Sequence, residues 1–263
     1  MDERHQLNEQ LKKMREQIVS LVMEREDILL QQNPTIEADY MVKVGAYEVK
    51  MAEAELSARR AKKKLALCQA RINQGEEVSE EEVEAELVSE LEQWVVDLNK
   101  KQKKFYSLLE RRSNSKNMSK ADSKRLKQLY RKLCKKLHPD LNPLLSEEDK
   151  KLFRGVQRAY ETGDLAALEA YAWVLEEEED VNDSTKDVEE LTAEIALLEA
   201  QVSVQDELLE NVKNSYPYNM QDKLANTDWV FKTVQGLKEK TKVYEEAFLQ
   251  YNLKINELLK KES

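Results

Sequence analysis

The sequence predicts an all-α protein in which long antiparallel coiled-coil helices flank a small helical hairpin. Three observations lead there. Five Gly and four Pro in 263 residues leave few places where a helix must break. At 36% charged and 6% aromatic residues, the composition is too polar for one large globular core. Apolar residues recur at alternating spacings of three and four over most of the chain, the mark of a buried stripe on a helix.

Residues 1–112 are expected to form an N-terminal arm of three long helices. Leu7, Leu11, Met14, Ile18, Leu21 and Ile28 keep the heptad spacing, with Arg25 interrupting one position, and Asn33-Pro34 is expected to break this helix. Tyr47, Met51, Ala54, Ala58, Ala61, Leu65, Cys68 and Ile72 carry a second helix as far as Asn73-Gln74-Gly75. Ser79-Glu80-Glu81-Glu82 has the form of a capping box, opening a third helix with Val83, Leu87, Leu91, Trp94, Leu98 and Phe105 inward. The tight turns favour antiparallel packing between sequence neighbours.

Residues 113–123 read as a flexible spacer, and a basic helix follows. Leu126, Leu129, Tyr130, Leu133 and Leu137 make its apolar face, while Lys124, Lys127, Arg131, Lys132, Lys135 and Lys136 cover the rest. The helix should stop at His138, because the ring of Pro139 disfavours helical dihedrals in the residue before it. Pro143 stiffens the loop, and Ser146 with Glu147, Glu148 and Asp149 opens the next helix, whose facing stripe is Leu152, Phe153, Val156, Ala159 and Tyr160. Gly163 is placed to end it and Asp164 to cap a short last helix over Leu165 to Tyr171.

A helical hairpin whose loop carries His138-Pro139-Asp140, preceded by Tyr130-Arg131-Lys132-Leu133 and followed by Phe153 through Tyr160, resembles a J-domain of the DnaJ-like co-chaperone family. The J-like segment runs over 119–175, with the family's first helix placed over 102–112 on Phe105-Tyr106-Ser107-Leu108-Leu109, which lacks the family's glycine. The resemblance implies docking on a DnaK-type chaperone ATPase and faster ATP hydrolysis by that partner. It implies that His138, Pro139 and Asp140 act as trigger, with Asp140 meeting a partner arginine, and that Tyr130, Arg131, Lys132, Lys127 and Lys136 dock. Neither a Gly/Phe-rich linker nor Cys-rich zinc repeats are present, so the resemblance is to the specialised members with an internal domain.

The bland readings make His138 a helix-end histidine, Pro139 a helix stop, Tyr130 a core residue and the lysines a solvated face. A coiled-coil scaffold with a non-stimulating J-like connector is therefore the alternative function. A nucleic-acid-binding arm is the second alternative, since residues 100–136 carry a net charge of +13. The absence of interleaved aromatics and an overall charge of −10 disfavour it, and an acidic protein surface suits the basic run better.

Residues 176–187 form an acidic linker, and 188–263 a coiled-coil hairpin. Its stripes are Val188, Leu191, Ile195, Leu198, Val202, Leu209 and Val212, then Leu237, Thr241, Tyr244, Phe248, Tyr251, Ile255 and Leu258, with a turn at Tyr216-Pro217-Tyr218-Asn219. The stripes suit intramolecular packing, with homodimer seams as the other use. The arms would locate a client protein. Cys68 and Cys134 provide neither a disulfide framework nor zinc-ligand spacing, and no Gly-rich phosphate loop or paired nucleophile and base is visible. No cofactor, no metal and no enzymatic activity of the chain's own are expected. The polar start and the lack of a long apolar run lead to an expected cytoplasmic location without a membrane partner.

Overall fold

In a computed structural model the protein is described over residues 3–114, 118–175 and 187–260, and every regular element there is helical. Ten α-helices run in chain order: α1 Glu3–Asp27, α2 Asn33–Tyr40, α3 Ala46–Gln74, α4 Glu80–Asn114, α5 Lys120–Leu137, α6 Glu147–Thr162, α7 Leu165–Val174, α8 Val188–Asn214, α9 Gln221–Ala225 and α10 Thr227–Lys260. The all-α expectation holds. The acidic stretch 176–186 and residues 115–117 of the spacer lie outside the described residues.

Helix punctuation follows local chemistry at most expected places. Gly75, at φ 74°, ends α3, and Glu82 N–H donates to Ser79 Oγ at 3.4 Å as α4 begins. Asp187, expected only as the end of the acidic linker, caps α8 in a full capping box with Glu190. Pro34 is a correction. The chain stays helical through it, because the wide π-helical turn Ile28–Gln32 precedes α2 and Asn33 N–H reaches back to Ile28 O. A proline one residue later has no N–H to place, so a π-turn absorbs it without a break.

The chain divides into two compact units, residues 1–36 with 116–219, and 37–115 with 220–263. In the first, α1 lies along α8, with Leu11, Leu191 and Ile195 buried together and Leu7, Met14 and Leu198 against them. The same unit holds the α5–α6–α7 cluster. In the second, α3 packs along both α10 and α4, and Cys68, Val83, Leu87 and Leu91 form its buried cluster. Arg59 stacks over Trp94 at 4.1 Å from the ring centroid.

These pairings replace the arms expected from sequence. The 1–112 arm and the 188–263 hairpin each split, so that α1 pairs with α8 and α3 with α10. A heptad stripe states that a helix has a partner and carries no address for it.

Candidate functional site

The site is built on α5, α6 and α7. Ser119 Oγ accepts from Asp122 N–H at 3.1 Å to start α5, and Ser146 with Asp149 forms a reciprocal capping box at α6. Gly163, at φ 69°, closes α6, and Asp164 caps α7. Leu126, Tyr130, Leu133, Cys134 and Leu137 of α5 meet Phe153, Val156, Ala159 and Tyr160 of α6 and Leu168 and Ala172 of α7 in one buried cluster. Tyr130 and Tyr160 stack with ring centroids 4.0 Å apart.

The loop between α5 and α6 is held by its own backbone. His138 N–H bonds to Cys134 O at 2.9 Å, and the amides of Leu141 and Asn142 both bond to His138 O, at 3.0 and 2.9 Å. Asn142 Nδ2 donates to Lys135 O at 2.9 Å, satisfying a carbonyl that the end of α5 leaves unpaired. Asp140 N–H donates to His138 Nδ1 at 3.0 Å, so in the neutral ring the proton sits on Nε2. The ring lies edge-on to Phe153 at 4.9 Å. His138, Pro139 and Asp140 are therefore one fixed turn.

The end of α1 supplies a polar layer beneath that turn. Glu26 is buried; Tyr130 Oη donates to it at 2.8 Å and Gln157 Nε2 at 3.0 Å, and His138 Nε2 faces it at 3.6 Å. Burial by itself would push the Glu26 carboxyl up, but these donors outweigh it and hold it below the ordinary carboxylate value. Asp27 shows the same balance: burial pushes upward, and Tyr160 Oη at 2.7 Å, Lys127 and Gln32 bring it below its usual value. Met23 and Leu30 pack on the buried cluster from the same stretch. Burial also raises the Cys134 thiol to about 12, which leaves it protonated and inert.

Asp140 is paired within the chain. Arg25 Nη2 lies 2.7 Å from Asp140 Oδ2, and Arg25 Nη1 donates to Gln205 Oε1 at 2.8 Å. Gln201 Nε2 donates to Asp140 O at 2.7 Å. A shallow cleft of about 280 Å³ beside this pair is lined by Arg25, Glu26, His138, Asp140, Lys150 and Arg154, among others.

Of the eight expected docking residues, Lys127, Arg131, Lys132 and Pro139 are exposed. Tyr130 is 0% exposed and His138 4%, so neither presents its ring to a partner in this conformation. Lys136 is half-buried and donates to Leu175 O at 2.7 Å. Lys127 pairs with Asp27 at 3.0 Å. Sequence reasoning missed Glu26, Asp27, Gln201 and Gln205, and noted Arg25 only as a gap in a heptad. That gap was the usable signal, since a charge on a buried stripe needs a partner.

Residues 102–112, the expected first helix of the hairpin domain, are the last part of α4. There Lys104 pairs with Glu37 at 2.6 Å and Gln102 donates to Glu53 at 2.7 Å, within the second unit. Among the described residues no helix is long and apolar enough to cross a membrane, and no cluster of His, Cys, Asp and Glu could hold a metal ion.

The family model of the DnaJ domain matches residues 104–162, which take in the end of α4, α5, the His-Pro-Asp turn and α6. No curated protein and no solved structure matches the chain.

Proposed function

We propose, for a chain that is a J-domain protein with helical regions on both sides of the domain, that it binds a DnaK-type chaperone and stimulates ATP hydrolysis by that partner. The observation that carries this reading is the coincidence of the family match with a fixed His138-Pro139-Asp140 turn at the end of a cationic helix. J-domain proteins are in general co-chaperones and not enzymes. This chain acts in that sense as an activator, and the hydrolysis is the partner's.

Exposed Arg131 and Lys132 on α5 give a cationic face suited to an acidic partner surface, and long-range attraction of this kind raises the association rate at low salt. The helical pairs α1–α8 and α3–α10 are the parts left to contact a client protein. Leu191, Ile195, Leu209, Thr241 and Ile255 of their stripes are buried within the chain, while Val188 and Phe248 stay exposed, so a homodimer through these helices would use the exposed members.

A second reading, a J-like connector that does not stimulate, is favoured by the burial of His138 at 4% exposure. Single-turnover ATP hydrolysis by a DnaK-type chaperone separates the two. Stimulation by the full-length protein that is lost in His138→Gln, with helicity by circular dichroism retained, supports the co-chaperone. An equal rate above that of the chaperone alone with both proteins, or no stimulation by either and none by Arg25→Ala, in which Asp140 is released, supports the connector.

A further inference from the structure

We propose that the chain holds its own trigger turn shut, with Arg25 of α1 and Gln201 and Gln205 of α8 occupying Asp140 in place of the partner's arginine. This inference rests on the co-chaperone reading and concerns the regulation of the same turn.

The contacts divide into two kinds. Met23, Leu30 and Glu26 serve the buried cluster: two pack on its apolar surface and the third fills the hydrogen-bonding needs of Tyr130 and Gln157. Gln201 and Gln205 have no part in that cluster, and Arg25 reaches it only through Glu26 Oε1 at 3.9 Å. Arg25, 11% exposed in its side chain, sends one nitrogen to Asp140 Oδ2 at 2.7 Å and the other to Gln205 at 2.8 Å. Gln205 is itself buried at 4% exposure and has its amide nitrogen 3.5 Å from the same Asp140 oxygen, while Gln201 holds the Asp140 carbonyl at 2.7 Å. A guanidinium and two carboxamides from two helices thus converge on one loop residue.

Asp140 Oδ2 already accepts from Arg25 with Gln205 beside it, so an arginine arriving from outside cannot form a two-oxygen pair with Asp140 while Arg25 stays, and it meets a second guanidinium charge there. The two arginines compete for one carboxylate, and the apparent affinity of the partner falls with the fraction of molecules in which Arg25 has let go. The contact is also placed to open. Asp140 keeps 36% side-chain exposure, so water can take over from Arg25. Beyond it a cleft of about 920 Å³ separates Lys135, Leu141 and Asn142 from α1 and α8, leaving the hold as a polar clasp and not a packed interface.

The test measures affinity for a DnaK-type chaperone and single-turnover ATP hydrolysis using the full-length wild type, Arg25→Ala and the double variant Gln201→Ala/Gln205→Ala. Removing one charge-assisted hydrogen bond from the closed state should raise apparent affinity by about tenfold. Both variants are expected to bind more tightly and to stimulate at lower concentration, with His138→Gln placed in either background abolishing the gain. If Arg25→Ala does not fold, the glutamine pair decides, since it leaves the cluster beneath the turn intact. Unchanged or weaker binding by variants that fold, with a wild type that stimulates, overturns the clasp and leaves the co-chaperone reading standing. Absence of stimulation from every protein, variants included, overturns both.

Discussion

Arg25 and Gln205 sit at corresponding interruptions of two apolar stripes, and they face each other: Arg25 Nη1 donates to Gln205 Oε1 at 2.8 Å. Arg25 stands between Leu21 and Ile28, and Gln205 between Val202 and Leu209, each where the heptad calls for an apolar residue. Polar residues at such positions specify register at a cost in stability. Here they also place a guanidinium on Asp140.

Replacing both with apolar residues separates these roles. Arg25→Leu with Gln205→Leu completes the two stripes while Asp140, already in contact with solvent, rehydrates. Thermal unfolding of the α1–α8 pair is expected to be unchanged or shifted upward by about 1 kcal/mol of added stability. Stimulation of the partner is expected to rise, as is also expected for Arg25→Ala. A fall in stability would show that the polar pair is needed for packing.

Tyr130→Phe removes a donor from buried Glu26 without creating a cavity. The carboxylate then has to lose its partner or draw in water, at a cost of about 1–2 kcal/mol. Hydrogen exchange of the α5 amides is expected to accelerate by the corresponding factor, while exchange in α3 stays unchanged. Equal protection in the variant would mean that the Tyr130–Glu26 contact contributes nothing.

Glu26 and Asp27 set a pH dependence. Their carboxyls are held below the ordinary values of 4.5 and 3.8 in the folded chain, so the unfolded state binds protons first as pH falls. The stability they add is present in full above those ordinary values and is lost as pH drops through the lower folded ones. Protection of α5 and α6 amides should therefore be flat from neutral pH down to about 5, then decline. Glu26→Gln is expected to flatten that decline. A decline starting near neutral pH would point to another group.

The legibility of this fold from sequence follows the range of the forces involved. Caps and stops at Ser79, Ser146, Gly163 and Asp164 are decided within one helical turn, and residues a few positions apart reveal them. The same holds for His138, whose extended backbone, φ −73° and ψ 126°, is imposed by the next residue. Helix pairing is decided between stripes more than a hundred residues apart, and α1 finds α8 through apolar faces that resemble those of α3 and α10. Pro34 misled because its usual effect was absorbed by a π-turn whose signal is not local composition. The His-Pro-Asp turn was legible as a motif. Its burial against Glu26 and the hold of Arg25 on Asp140 were not, since both come from an element over a hundred residues upstream.

The most direct measurement is single-turnover ATP hydrolysis by a DnaK-type chaperone with Arg25→Ala and with Arg25→Ala/His138→Gln side by side. The account predicts clear stimulation by the first and none by the second, with both equally helical. Equal stimulation by the two would contradict it, because a chaperone that ignores the His138 imidazole with the clasp removed is not reading the turn.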